Sequence, residues 1–442
     1  MDCPLYYARA DRGSTGKEWR MRRLLAALMA AVCVAEAPAA PPASRPARPS
    51  VHERLSAAYL ARFEQDRAAL AARVRPIDVP YPLVRGTFHV HSRLSHDSRG
   101  MIEEIVAAAK ATGTRVVGFT EHPRKDQDVI AANVRGWRDG LYFLAGTESD
   151  NALFWPGRDH EPDLRFVAHP EEVAEIEPAQ WAGMEIYNTH ADAKDEPLSA
   201  LVSALLLNLP AVKAHPQAAF ASFLDEPTAF LERFDRITRE TPFTGIAAND
   251  SHQNQGLRLM LRPDGGLEAF DAEGESVLKI EGVKAAALRL ALGRKDPPER
   301  EQVLAEVLLD PYEISMRHVG TYLQIEEVSE KSVRQALRTG RVVIGFEGLA
   351  PLPACGFWIE KGGRPVGTVG DRVRWEGGLS LRCRLPLPAI VRVVRDGRAV
   401  HEQVGEELLL PDLQPGVYRA EARLELAGER RPWVLTNPIY VK

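Results

Sequence analysis

At 442 residues the chain is long enough for two or more domains, and 45% hydrophobic with 26% charged residues is ordinary globular composition. A formal net charge of −5, with no basic stripe and no aromatic-basic interleaving, argues against a nucleic-acid partner.

The chain opens on a segment that is not fold material. Met21-Arg22-Arg23 precedes LLAALMAAVCVAEAPAA, a charged start, a short apolar stretch and a small-residue cleavage pattern near Ala39. Residues 1–39 therefore read as a secretory leader with Met21 as the true start, and the protein as exported, to the periplasm or beyond. Cys33 stands where a lipoprotein cysteine would stand, but Val32 before it argues against that processing. No other apolar run is long enough to span a bilayer. Beyond the leader only Cys355 and Cys383 remain, as one disulfide or as two buried thiols.

Residues 40–84 read as a Pro/Ala/Ser linker followed by a helix over 51–74, with Leu55, Tyr59 and Phe63 at four-residue spacing. Short apolar runs then alternate with helical patterns. The runs are 87–91, 115–122, 142–148, 164–169, 183–188, 211–215 and 244–250; helices are expected at 101–112, 196–208 and 226–240. Seven strands alternating with helices predict a parallel α/β barrel. GGLEAFDAEGES (265–276) reads as a loop, and 282–293 and 329–340 as helices. From 341 the runs alternate and are broken by Gly and Pro, as in LSLRCRL (379–385) and VYRAEARLEL (417–426). That predicts a small all-β, sandwich-like domain over 341–442, after a barrel with an insertion over 85–340. Trp433, Ile439 and Tyr440 are expected in its core.

Chemistry collects at the ends of the expected strands. GTFHVHSRLSHD (86–97) places three histidines and an aspartate within nine positions, and nine of the twelve histidines lie between 89 and 252. His89 and His91 close the first run, Glu121-His122 the second, Glu148 the third, His169 the fourth, His215 the sixth, and Asp250 with His252 the seventh. In a parallel barrel all these ends share the rim where active sites lie. Residues at i and i+2 of a strand share a face, so His89 and His91 converge, as do Asp250 and His252. One HxH pair is more often incidental than not. Six ligand-bearing ends of seven point to metal, held by N and O donors that suit Zn, Mn or Fe. The ligands outnumber what one ion needs, so two or three divalent metals are expected.

HVHSRLSHDS, FTEH, AGTE, VAHP, KAHP and NDSH, in this order, resemble the motifs of the PHP (polymerase and histidinol phosphatase) superfamily over residues 85–255. The resemblance implies a distorted (β/α)7 barrel with a cluster of up to three metals. It implies ligand roles for His89, His91, His122, Glu148, His169, His215, Asp250 and His252, with Glu148 as a bridge. The third ligand is Asp97 in preference to His96. The long spacing from Glu148 to His215 leaves His160 or His190 as replacements for His169, with a solvated loop the simpler reading of His160. Arg124, Tyr187, Asn188 and His190 are candidate substrate contacts, each with a structural alternative. The tail, GRVVIGFE (341–347) with RPWVLTNPIYVK (431–442), more loosely resembles exported members of the CehA/McbA-like group.

The expected chemistry is hydrolysis by metal-bound hydroxide, with no protein nucleophile, because no Ser-His-Asp, GxSxG or Walker-type pattern is present. The expected substrate is a small-molecule phosphoester. A carboxylic ester, amide or carbamate would use the same cluster. The non-enzymatic reading is an exported metal- or glycan-binding protein.

Overall fold

The computed structural model describes residues 48–442 apart from 159, 195–196, 273 and 292–295. The expected leader, with Met21 and Cys33, lies outside the described residues. Six strands form the parallel centre: β1 (Val84–Val90), β2 (Val116–Phe119), β3 (Leu141–Leu144), β4 (Leu164–Val167), β5 (Gly183–Asn188) and β6 (Thr244–Ser251). Their order is β3-β2-β1-β6-β5-β4, every pair parallel. The strands are buried along nearly their whole length because both faces are covered, which is why they read as apolar runs without alternation. Phe88, Val116 and Leu144 pack on one face against Val333, Ala336 and Leu337 of helix Glu330–Thr339. Val90, Val117 and Phe143 pack on the other against Ile105, Ala108 and Ala109 of helix Ile102–Ala111. Those helical positions fall three and four apart, the apolar stripe of an amphipathic helix.

The expected barrel is not what forms, because the sheet does not close. Outside β4 lie two short antiparallel strands that precede it in the chain, Ala152–Trp155 and Thr147–Ser149, and only an isolated bridge from Thr147 to Glu121 reaches toward β2. The sixth expected strand, 211–215, is helical instead. Helix Leu198–Ala214 kinks at Asn208 and then continues through Pro210 to the residue before His215. A proline is tolerated where a helix restarts, since the N–H it lacks has no acceptor there. AVKAH holds one β-branched residue, too little to favour a strand.

The 265–276 loop is also corrected. β7 (Gly256–Leu261), β8 (Leu267–Asp271), β9 (Ser276–Ile280) and β10 (Gln302–Leu308) make a separate antiparallel sheet in the order β9-β8-β7-β10. Its period-two pattern, with Leu257, Leu259, Leu261, Leu267 and Ala269 buried, was diluted by flanking glycines and acids.

β11 (Gly320–Leu323) pairs antiparallel with the first half of β1, and β12 (Val342–Gly345) extends it. β12 then pairs with β13 (Glu429–Thr436), which joins the C-terminal antiparallel strands to the first sheet as one large mixed sheet. Pro49–Lys442 is one compact unit. The run expected at 379–385 opens one long strand, Leu379–Arg395, with alternating burial. Trp433, Ile439 and Tyr440 are core residues, and the Trp433 indole donates to the Ala350 carbonyl at 3.0 Å. Cys355 and Cys383 are buried free thiols; burial pushes the Cys383 thiol up to about 12.

Candidate metal centre

The strand ends do bring the imidazoles and carboxylates together, though not by simple alternation. His89 sits at φ 63°, in a bulge where the β1–β2 register shifts between Phe88 and Val90. Asp250 (φ 43°) and His169 (φ 45°) are also left-handed. Three such residues at one place are backbone strain held by the surrounding fold, as functional sites commonly show.

Glu148 and Asp250 stand at the centre. Glu148 Oε2 lies 3.0 Å from His89 Nε2 and 3.3 Å from His91 Nε2, while its Oε1 lies 3.1 Å from His169 Nε2. Asp250 Oδ1 lies 3.3 Å from His89 Nε2, and its Oδ2 lies 3.3 Å from His190 Nδ1 and 3.5 Å from His169 Nε2. Each carboxylate thus presents its two oxygens to different imidazoles, the disposition of a bridge. Asp97 Oδ2 lies 3.3 Å from His122 Nε2 and 3.6 Å from His252 Nε2.

Three groupings have donor atoms close enough to share an ion: His91, His122 and His252; His89, His91, Glu148 and Asp250; and His190, Asp250 and His252. The donor atoms fit a metal on a separate ground. The Nε2 atoms of His89, His91 and His252 and Oδ1 of Asp97 are buried without a hydrogen-bond partner. Buried polar atoms are ordinarily satisfied, so lone pairs left facing one another in a buried cluster call for cations.

The opposite ring atoms show how the lone pairs are aimed. His89 Nδ1 donates to Glu185 Oε1 at 2.6 Å. Ser95 gives its proton to Glu121 at 2.7 Å, so its oxygen accepts from His91 Nδ1 at 3.0 Å and from the His122 amide at 2.9 Å. His252 Nδ1 donates to the Asp250 carbonyl at 3.1 Å. In all three rings the proton is held on Nδ1 and Nε2 is left as a base.

Electrostatics favour positive charge here, and without a bound cation the carboxylates draw a second proton to His89 and His169. Burial opposes the charge of Glu148, yet His89, His169 and His91 hold it well below the usual carboxylate range. Burial would depress His89, but Asp250, Glu148 and Glu185 hold it well above the usual histidine value. Burial, with His252 alongside, keeps His91 well below it. For His169 the opposing pull of Glu148 and Glu171 prevails over burial and raises it to about 12.

The other expected residues divide. Asp97, not His96, faces the cluster; His96 is exposed with its ring 5.1 Å from that of His122. His215 belongs to none of the three groupings and stands between two helices, because its segment is not a strand. His160 is exposed. Arg124 pairs with Asp126 at 3.0 Å in solvent. Tyr187 points into the core, donating to Asp192 Oδ2 and accepting from His318 Nε2, both at 2.8 Å. Asn188 donates to Glu185 at 3.0 Å and accepts from the His190 amide at 2.8 Å, so it positions others. His190 joins the cluster itself.

Sequence reading passed over Glu185 and Ser95, and named Glu121 only as the strand end beside His122. A fully buried carboxylate inside the apolar run GMEIYN was the visible signal for Glu185. Replacing Glu185 by Gln is expected to weaken divalent-metal binding about 10- to 100-fold while the fold persists, read by competition with a chromophoric chelator.

Gly100 is a further constraint. A Cβ there would stand 1.8 Å from the Tyr312 hydroxyl, which donates to the His91 carbonyl at 2.6 Å. Gly100→Ala should therefore cost about 1–3 kcal/mol, measured by denaturant unfolding, because Tyr312 is packed and must move. In comparisons with known proteins, no family model and no curated protein matches the chain.

Proposed function

We propose that this protein is an exported, metal-dependent hydrolase of the PHP type that cleaves a phosphoester with two or three divalent ions. The convergence of the buried Nε2 atoms of His89 and His91 on Glu148 and Asp250, with His252 Nε2 facing Asp97, carries this reading. Bound ions at such a cluster supply Lewis acidity and activate water near neutral pH. The chain's own part is to hold and orient. Glu148 and Asp250 bring negative charge into a buried place, and the imidazoles share it. Glu185 and Ser95 fix the two rings of the first strand. The hydroxyls of Ser92 and Ser95 both donate to Glu121, which suits them to positioning and not to attack.

The test is metal content of the purified protein, by inductively coupled plasma mass spectrometry, beside turnover of p-nitrophenyl phosphate and a p-nitrophenyl ester. Two or three ions per chain with phosphate release is the expected result. The same ions with ester cleavage alone would move the assignment to carboxylic ester or carbamate hydrolysis. Fewer than one ion per chain after loading with Zn and Mn would overturn the cluster as a metal site.

A further inference from the structure

Three segments far apart in the chain line one cavity of about 190 Å³. Helix Ala57–Arg73 supplies Glu64, Arg67 and Ala68, helix Tyr312–His318 supplies Arg317, and the turn after β12 supplies Glu347 and Leu349. None of these residues belongs to the metal cluster. Glu347 pairs with Arg85, at the start of β1, whereas His89 stands near its end. The two places are roughly 13 Å apart along the strand, at about 3.3 Å per residue.

The carboxylates of this cavity are engaged. Glu64 accepts from Arg67 Nη1 on both oxygens, at 2.8 and 2.6 Å. Glu347 accepts the Leu352 amide on Oε1 at 3.0 Å and pairs with Arg85 through Oε2. The guanidiniums keep donors to give. Arg67 Nε is buried without an acceptor. Arg317 bonds through Nη2, to Glu313 at 2.6 Å and to the Ala111 carbonyl at 3.2 Å. Buried N–H groups are ordinarily satisfied, and an arginine fork matches the two oxygens of an acid group. Arg67 and Arg317 each already face one acid, Glu64 and Glu313, so a singly charged anion suits them better than a doubly charged one. Leu349 and Ala68 give the cavity an apolar wall, which a ligand with a hydrocarbon body would cover.

From this we propose that the cavity is a binding site for a small organic carboxylate, with its acid group on Arg67 and Arg317 and its apolar body against Leu349 and Ala68. The site shares no residue with the cluster and needs no metal, so it stands apart from the phosphoesterase reading above.

The test titrates 4-fluorobenzoate into the purified protein and follows its fluorine NMR line width. The protein is first freed of metal by chelation, so that no ion at the cluster can take the probe's carboxylate. A dissociation constant on the order of millimolar is expected for a ligand of this size. Arg67→Gln should raise it about tenfold, the worth of one charged hydrogen-bond partner, and Arg317→Gln should do the same. Arg67 and Glu64 are a partly exposed pair one helical turn apart, so Arg67→Gln should keep the fold, as circular dichroism would show. Ala68→Phe, at an exposed helix position, fills the cavity without changing charge and should abolish binding. Glu185→Gln, at the cluster, should leave binding as it is. No broadening at concentrations about tenfold above the expected constant, or binding that survives both Arg67→Gln and Ala68→Phe, would overturn the site. Binding lost in Glu185→Gln but kept in Arg67→Gln would put the probe at the cluster and overturn it as well. Benzoate should displace the probe more readily than inorganic phosphate does; the reverse order would overturn the carboxylate as the ligand class.

Discussion

Asp250→Ala is expected to lower phosphoester turnover on the order of a thousandfold and to lose most of the bound metal, because no other group can span the imidazoles it serves. Asp250 addresses His89 and His252 through one oxygen and His169 and His190 through the other. Its charge is held ionised although burial opposes it, by His89, His190 and His169. Removing it leaves several buried imidazoles without their shared counter-charge. Metal support of the fold can blur a pure activity measurement, so metal content and circular dichroism belong on the same samples. Full turnover in a folded, metal-poor Asp250→Ala protein would show that this cluster is not where hydrolysis occurs.

The second large effect is on stability and lies far along the chain. Asp235, on helix Thr228–Glu240, receives the guanidinium of Arg419 through both oxygens at 2.6 and 2.7 Å. Glu421 stands between Arg419 and Arg423, bonding each at 2.5 Å or closer, and Arg423 reaches Glu226 at 2.6 Å. These charges are buried, so each depends on its partners for compensation. Asp235→Ala would leave Arg419 and Arg423 to share Glu421 and should cost about 3–5 kcal/mol in urea unfolding. Replacing Asp235 and Arg419 together by apolar residues should recover much of that loss, since the desolvation cost then vanishes with the charges.

The network also sets an acid limit. Burial works against Glu421, but Arg419 and Arg423 hold its carboxyl below the usual value of 4.5. A depressed folded-state value means that the stabilisation is complete above about pH 4.5 and is lost as pH falls through the folded-state value. The stability difference between parent and Glu421→Gln, followed by urea midpoints, should therefore be largest near neutrality and shrink below pH 4.5.

How much of this was legible in the residues can be seen at particular places. The parallel strands showed themselves as apolar runs because both their faces are buried, and the ligands showed themselves because polar residues rarely end such runs without purpose. Capping chemistry was equally local: Ser329 accepts from the Ser332 amide at 3.1 Å, and Gly340 ends the same helix at φ 76°. The expected closure failed because a sheet closes through register and strand count, which no single segment encodes; with 211–215 helical, one strand is missing. His215 fell away from the cluster for the same reason.

The sequence by itself named the donor candidates, His89, His91, Asp97, His122, Glu148, His169, His215, Asp250 and His252, and the strands that deliver most of them. Only the tertiary structure decided that His190 joins them, that Asp97 and not His96 faces inward, and that Glu185 and Ser95 aim the rings. The physical reason is that donor type is a property of a residue, whereas the direction of a lone pair depends on contacts between segments far apart in the chain. His89 and Glu185, 96 positions apart, are such a pair.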